Sequence, residues 1–186
     1  MRVILASNSP RRKELLSLIF PSFEVIPQNV EEICNKIRPS KKVVALALLK
    51  LGDLPQKEKD SLIISADTLV YMAGKVYGKP HDEAQAKCFL RELSGKKHSV
   101  YTGVAVYYKG KTYTIYDKST VRFVKLDEKA IDDYVESGSP MDKAGAYGIQ
   151  DKQVVDSYEG SYSNIVGLPV EKLEKLVNYI LNQEIL

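Results

Sequence analysis

The segment Leu5-Ala6-Ser7-Asn8-Ser9-Pro10-Arg11-Arg12-Lys13-Glu14-Leu15-Leu16 constrains this chain more than any other stretch. An apolar β-type run, Arg2–Ala6, gives way to small polar residues. A helix then starts on a Ser-Pro signal, with Ser9 as N-cap and Pro10 at the first helical position. The chain must therefore turn a strand-to-helix corner within a few residues. Arg11 and Arg12 fall in the first helical turn, where the helix dipole disfavours positive charge. Residues that break a local rule often mark a site. Free backbone N–H groups, hydroxyls and two guanidinium forks suit a phosphate. An ordinary helix start with solvated arginines fits this segment as well, and the corner alone does not decide between the two.

At 186 residues the chain is expected to form one domain, 1–186, with a substantial core. A 44% hydrophobic and 27% charged composition is that of a soluble globular protein. The net charge of +3 admits an acidic small-molecule substrate but marks no basic nucleic-acid face. Val43–Leu49, the longest clean apolar run, is too short to cross a bilayer, and the N-terminus lacks a signal-peptide core. Cys34 and Cys88 match no metal or redox spacing and read as reduced thiols of a cytoplasmic protein. His81 and His98 are isolated and carry no signal of their own.

Helix-period and strand-period segments alternate without a repeat. Phe23–Ile26 reads as a short strand and Val43–Leu51 as a helix closed by Gly52. Leu62–Met72 is β-rich and turns at Ala73-Gly74 into Lys75–Tyr77. Asp82–Leu93 carries a helical apolar stripe through Ala86, Phe89, Leu90 and Leu93. Val100–Tyr108 and Thr112–Val124 form a hairpin across Lys109-Gly110. Helices are expected over Asp127–Glu136 and Val170–Asn182, and Gly138–Pro169 reads as a long, functional loop region. Hairpins mixed with helices predict an α/β (mixed α+β) domain rather than a doubly wound parallel sheet.

Several residues stand out of pattern. Asp67 places a carboxylate inside an apolar strand context, which is costly unless it is paired, hydrogen-bonded or metal-bound. A strand-end Asp capping a turn is the alternative. Lys50 shares a helical face with Val43, Leu46 and Ala47, either snorkelling from the last turn or aiming an ammonium into a cleft. Glu31-Glu32 follow the second strand as exposed acids or as a metal carboxylate. Gly74–Pro80 is not a Walker A loop: its glycines are one residue too close and a hairpin surrounds it. Lys79 can still bind phosphate as a point charge. In Lys143–Gln150 small residues allow close backbone approach, and Gln150 can read a base edge.

Together, Leu5–Leu16, Lys50, Ser65–Val70, Gly78-Lys79-Pro80, Leu93-Ser94-Gly95 with His98 and Thr102-Gly103-Val104, Lys143–Gln150 and Gly160–Pro169 resemble the Maf family of nucleoside triphosphate pyrophosphatases. The resemblance implies a Maf/inosine triphosphatase-like fold, a central mixed twisted sheet flanked by helices with a deep cleft between two lobes. It implies hydrolysis of a nucleoside triphosphate to monophosphate and pyrophosphate with a divalent cation, Mg²⁺ or Mn²⁺. The catalytic acid of the family falls on Asp67. Substrate-binding positions fall on Ser7, Arg11, Arg12, Lys50 and Lys79, and specificity positions on Arg12, Thr68 and Gln150. The metal carboxylates fall on Glu32 and Asp67, where general base and metal ligand are competing roles for Asp67. Ala146–Gln150 resembles the branch acting on dTTP and UTP. The chain departs at Asp151-Lys152, where glycine is common in the family, and at Phe20-Pro21-Ser22, where a Gly-containing turn is usual.

A homodimer is among the family's expectations. A nucleotide-binding regulator of cell division or septum formation, without turnover, would use the same pocket. A nucleic-acid module is disfavoured because the twelve tyrosines are spread among apolar strand residues.

Overall fold

Strand β3 (Leu62–Met72) is the spine of the sheet, long enough to pair with three neighbours. The computed structural model describes residues 1–31, 34–35 and 38–183. Around β3 lie β1 (Val3–Leu5), β2 (Glu24–Val25), β4 (Lys75–Tyr77), β5 (Lys97–Tyr108), β6 (Lys111–Phe123) and β7 (Val155–Glu159). The order is β2-β1-β3-β5-β6-β7, with β4 paired to β3. Strand β1 runs parallel to β2 and β3, and every other pair is antiparallel, so the sheet is mixed as expected. Both long hairpins close on two residues with positive φ, Ala73-Gly74 and Lys109-Gly110, as tight two-residue turns require.

The helices are α1 (Pro10–Ser17), α2 (Pro39–Lys50), α3 (Leu54–Lys57), α4 (Glu83–Leu93), α5 (Glu128–Glu136), α6 (Tyr162–Val166) and α7 (Val170–Asn182). Successive strand residues point to opposite faces. Leu62, Ile64 and Ala66 accordingly pack with Leu16 of α1 and Leu173, Val177 and Ile180 of α7. Ile63 packs with Ala47 and Leu51 at the end of α2. A third cluster forms farther along the strands, where Val70, Val100 and Val121 meet Phe89 and Leu90 of α4 and Ile131 and Tyr134 of α5. Asp67 and Thr68 lie on β3 between these apolar groups.

Three boundaries differ from the sequence reading. Helix α2 starts at Pro39 rather than Val43, with Pro39 at its first position. Strand β5 starts at Lys97, because Lys97, His98 and Ser99 pair with β6 despite their polar pattern. Gly138–Pro169 is not one loop. It holds two 3-10 turns (Ser139–Asp142 and Ala144–Ala146), then β7 and α6. Strand β7 lies at the sheet edge with four of its five residues exposed, and α6 has five residues, so neither can show a period. No helix among the described residues is long and apolar enough to cross a membrane.

His98 proves to be a core residue. Its ring meets Phe123 at 4.9 Å and Tyr147 at 5.2 Å, both edge-on, and its Nε2 lies 2.8 Å from the Tyr147 hydroxyl. Burial pulls its pKa from 6.5 down to about 4. The unfolded chain therefore takes up a proton at higher pH than the fold does. Stability from the neutral ring is complete above the unfolded value and lost as pH falls through about 4. The loss amounts to roughly 3 kcal/mol. Urea unfolding at a series of pH values should show this slope between pH 6.5 and 4 in the wild type, and His98→Phe should flatten it.

Candidate active site

A pocket of about 390 Å³ opens where α1, α2, β3, β4 and the 142–150 segment converge. Because Asp67 and Thr68 are adjacent on a strand, they address opposite faces. Asp67, 7% exposed, meets α2: Lys50 Nζ donates to its Oδ1 at 2.6 Å. Thr68 meets α1: Arg12 Nη2 donates to its Oγ1 at 3.2 Å. Asp67 is thus a mid-strand carboxylate, paired with Gly103 in the β5 register, and not a turn cap. Lys50 does not snorkel to solvent. Its Nζ is drawn back to the only carboxylate on the inner face of β3.

The corner Ser7–Arg12 forms as the sequence predicts. Ser9 caps α1, its side chain accepting from the Arg12 amide, and Pro10 opens the helix. Arg12 is held by three groups: Nε donates to the Gly167 carbonyl at 2.9 Å, Nη1 to Ser7 Oγ at 3.3 Å and Nη2 to Thr68 Oγ1. Ser7 is buried behind Arg12 rather than placed on the pocket wall. Thr68 in turn contacts Thr102 Oγ1 at 3.0 Å, and Thr102 donates to the Asn164 carbonyl at 2.8 Å, so β3, β5 and α6 are tied through hydroxyls.

Arg11 reaches across the pocket to Asp142, with Nη1 to Oδ2 at 2.6 Å and Nη2 to the main-chain carbonyl at 3.0 Å. Lys143 Nζ donates to Asp142 Oδ1 at 2.9 Å. Burial pushes the Asp142 carboxyl up, but Lys143 and Arg11 outweigh it and hold it below its usual range. Lys79 is exposed after β4, and Gly78 accepts the Gly145 amide at 3.0 Å, fastening the 145 segment to that strand. Gln150 lies on the rim, exposed.

The structure therefore gathers Arg11, Arg12, Lys50, Asp67, Thr68, Lys79 and Gln150 around one pocket. Glu32 lies outside the described residues. Sequence reasoning missed Lys42, Asp142 and the wall residue Tyr147, and it gave no role to Lys143. Lys42 had a readable signal, since it stands four residues before Leu46 and eight before Lys50 on one helical stripe. Asp142 had none.

A divalent cation fits this donor set in one way. Among the described residues no group of three or more His, Cys, Asp or Glu forms a metal cage. Asp67 Oδ2 accepts no hydrogen bond from a described residue. A single carboxylate facing a polyphosphate is the arrangement that Mg²⁺ takes, with substrate oxygens and water completing its shell.

The family model for Maf-like protein matches residues 2–180. This chain belongs to that family. The Maf-like chain is 47% identical over 175 residues to a protein named dTTP/UTP pyrophosphatase from Bacillus cereus (strain AH820), covering 92% of each. It matches one of the same name from Bacillus thuringiensis subsp. konkukian (strain 97-27) at 47% identity, and one from Bacillus anthracis at 46%, with the same coverage. Among solved structures, the Staphylococcus aureus Ham1 protein shares the fold, with a TM-score of 0.56 at 13% identity over 96% of this chain and 98% of that one.

The Lys50–Asp67 pair of this Maf-like protein carries a stability consequence. Removing one member of a part-buried pair leaves an uncompensated charge, at a cost of up to about 3 kcal/mol. Lys50→Ala should lower the unfolding free energy by that order in urea titrations, whereas Lys50→Arg, which keeps the cation, should lose less.

Proposed function

We propose that this Maf-like protein is a nucleoside triphosphate pyrophosphatase that hydrolyses dTTP and UTP to the monophosphate and pyrophosphate. The observation that carries the reading is a part-buried Asp67–Lys50 pair on the wall of a pocket also lined by Arg11, Arg12, Lys42 and Lys79. A triphosphate brings roughly four negative charges, and a pocket with this surplus of cations suits it. The relatives named dTTP/UTP pyrophosphatase support the same substrate class.

In this reading Arg11 exchanges Asp142 for a phosphate oxygen, and Lys79 meets the phosphates as a point charge. Arg12, already fixed by Gly167, Ser7 and Thr68, orients its guanidinium without an ordering cost at binding. A divalent cation held by Asp67, with Glu32 as the second expected carboxylate, would offset charge building on the phosphate oxygens. When it is not bound to the cation, Asp67 accepts the proton of the water whose oxygen bonds to the α-phosphorus. The bond from that phosphorus to the bridging oxygen breaks, and pyrophosphate leaves with the electron pair. Lys50 holds the Asp67 carboxylate in place throughout. Gln150 meets the base with one donor and one acceptor.

Incubation with dTTP and UTP plus Mg²⁺ should release pyrophosphate and monophosphate, and chelation of the cation should stop it. Binding without turnover would overturn the reading in favour of a nucleotide-binding regulator. Asp67→Asn should reduce turnover by at least about a hundredfold while leaving the circular dichroism spectrum unchanged. Gln150→Ala should alter the ratio of kcat/KM among dTTP, UTP, CTP and GTP more than it alters the dependence on Mg²⁺ concentration.

A further inference from the structure

Gln150 lines the pocket, yet its carboxamide has no hydrogen-bond partner among the described residues. A side chain with no bond of its own takes its direction from the backbone that carries it. That backbone is held by the next residue. Asp151 Oδ2 accepts from the Tyr134 hydroxyl at 2.6 Å, from the Gly148 amide at 3.1 Å and from Ser139 Oγ at 3.3 Å. Its main-chain amide donates to the Gly148 carbonyl at 3.1 Å, and its own carbonyl accepts from Val154 and Val155 at 2.9 and 3.0 Å. One residue therefore gathers donors from α5, from the 139–142 turn and from both sides of Gln150.

Two of those partners are buried. Tyr134 is 2% exposed and packs in the cluster of α4 and α5, so its hydroxyl is a fixed point of the core. Gly148 lies beneath Gln150, where a Cβ would stand 2.6 Å from Gln150 Nε2 and 2.8 Å from Asp151 Oδ2. The missing side chain leaves room beside Gly148 for both the Gln150 carboxamide and the Asp151 carboxylate. Charge-assisted bonds to a carboxylate are the stronger class, which suits a group that must hold a turn open to solvent.

We propose that Asp151 is a positioning residue for nucleobase selection, setting through Tyr134 and Gly148 the place from which Gln150 meets the base. The inference rests on the reading of Gln150 as the base-contacting residue. A displacement of about an ångström at such a contact is worth up to a hundredfold in rate.

The test compares wild type, Gln150→Ala, Asp151→Asn, Tyr134→Phe and the two double variants with Gln150→Ala, with kcat and KM measured for dTTP, UTP, CTP and GTP. Asp151→Asn keeps the size but not the charge, and Tyr134→Phe removes the hydroxyl that donates to Asp151 and accepts from the Gly148 amide. Thermal midpoints identify any variant that fails to fold, and the other then carries the test. Each single change should shift the preference for dTTP and UTP over CTP and GTP by about tenfold, mainly through KM. Neither should add to the shift in the Gln150→Ala background, because a positioning residue acts only through the group it positions. Equal losses for all four nucleotides, or shifts that add to that of Gln150→Ala, overturn the inference. So does unchanged selectivity in Asp151→Asn and Tyr134→Phe where Gln150→Ala has altered it, which leaves the Gln150 assignment standing. Unchanged selectivity in Gln150→Ala removes that assignment and this inference with it.

Discussion

The site depends on how closely α2 lies against the sheet at Gly103. A Cβ on Gly103 would stand 2.4 Å from the Val43 carbonyl carbon and 2.5 Å from its oxygen, so the helix backbone occupies the space a side chain would need. Gly103 is the register partner of Asp67, and the closest approach of helix to sheet therefore falls beside the carboxylate. Farther along, the Ser65 hydroxyl donates to the Ala47 carbonyl at 2.6 Å, a bond that the same close approach permits. Val43, Leu46 and Ala47 are buried by this docking, and Lys50, on their side of the helix, is carried to the strand. Backbone packing thus brings ammonium and carboxylate within reach of one another.

The opposite face of β3 is organised by hydroxyls instead of a charge pair. Arg12 reaches Thr68, Thr68 meets Thr102, and Thr102 donates to the carbonyl of Asn164. This explains two arginines in a helical first turn. The dipole opposes them by up to about 1 kcal/mol each, but Arg12 has three fixed acceptors and Arg11 is paired with Asp142. A ligand entering this pocket meets two arginines that already have partners. It must offer more than a single carboxylate does, and a polyphosphate meets that condition where a monocarboxylate does not.

What could be read from the sequence is what violates a local rule. Asp67 stood out because a carboxylate in an apolar strand demands a partner, and Lys50 because it shares a face with buried residues. Arg11 and Arg12 stood out against the dipole. Lys42 carried a weaker signal, its place on the stripe of Leu46 and Lys50, which a solvated lysine beside Lys41 shares until the helix is docked. Asp142 was invisible because its partner lies 131 positions away and neither flanking sequence points to it. The edge strand β7 and the short helix α6 escaped for a geometric reason, being too exposed or too short for periodicity to register. Asp151 was noticeable only as a departure from the family pattern, since its contacts to Tyr134 and Ser139 exist only in the folded chain.

The two halves of the site share one structural element, the turn Ser139–Asp142 and the lysine that follows it. At one end Asp142 holds Arg11, in the first turn of α1. At the other, Ser139 donates to Asp151, which fastens the turn bearing Gln150. Lys143 Nζ joins the two ends by donating to both Asp142 Oδ1 and the Ser139 carbonyl. Gly138 enters this turn with φ at +72°, a conformation that glycine adopts at little cost, and so the segment can double back between α5 and the pocket. An element pinned at both ends by charge-assisted bonds does not relax at one end without loading the other. Hydrogen bonds of this one short stretch of chain thereby tie the Arg11 corner to the turn that bears Gln150.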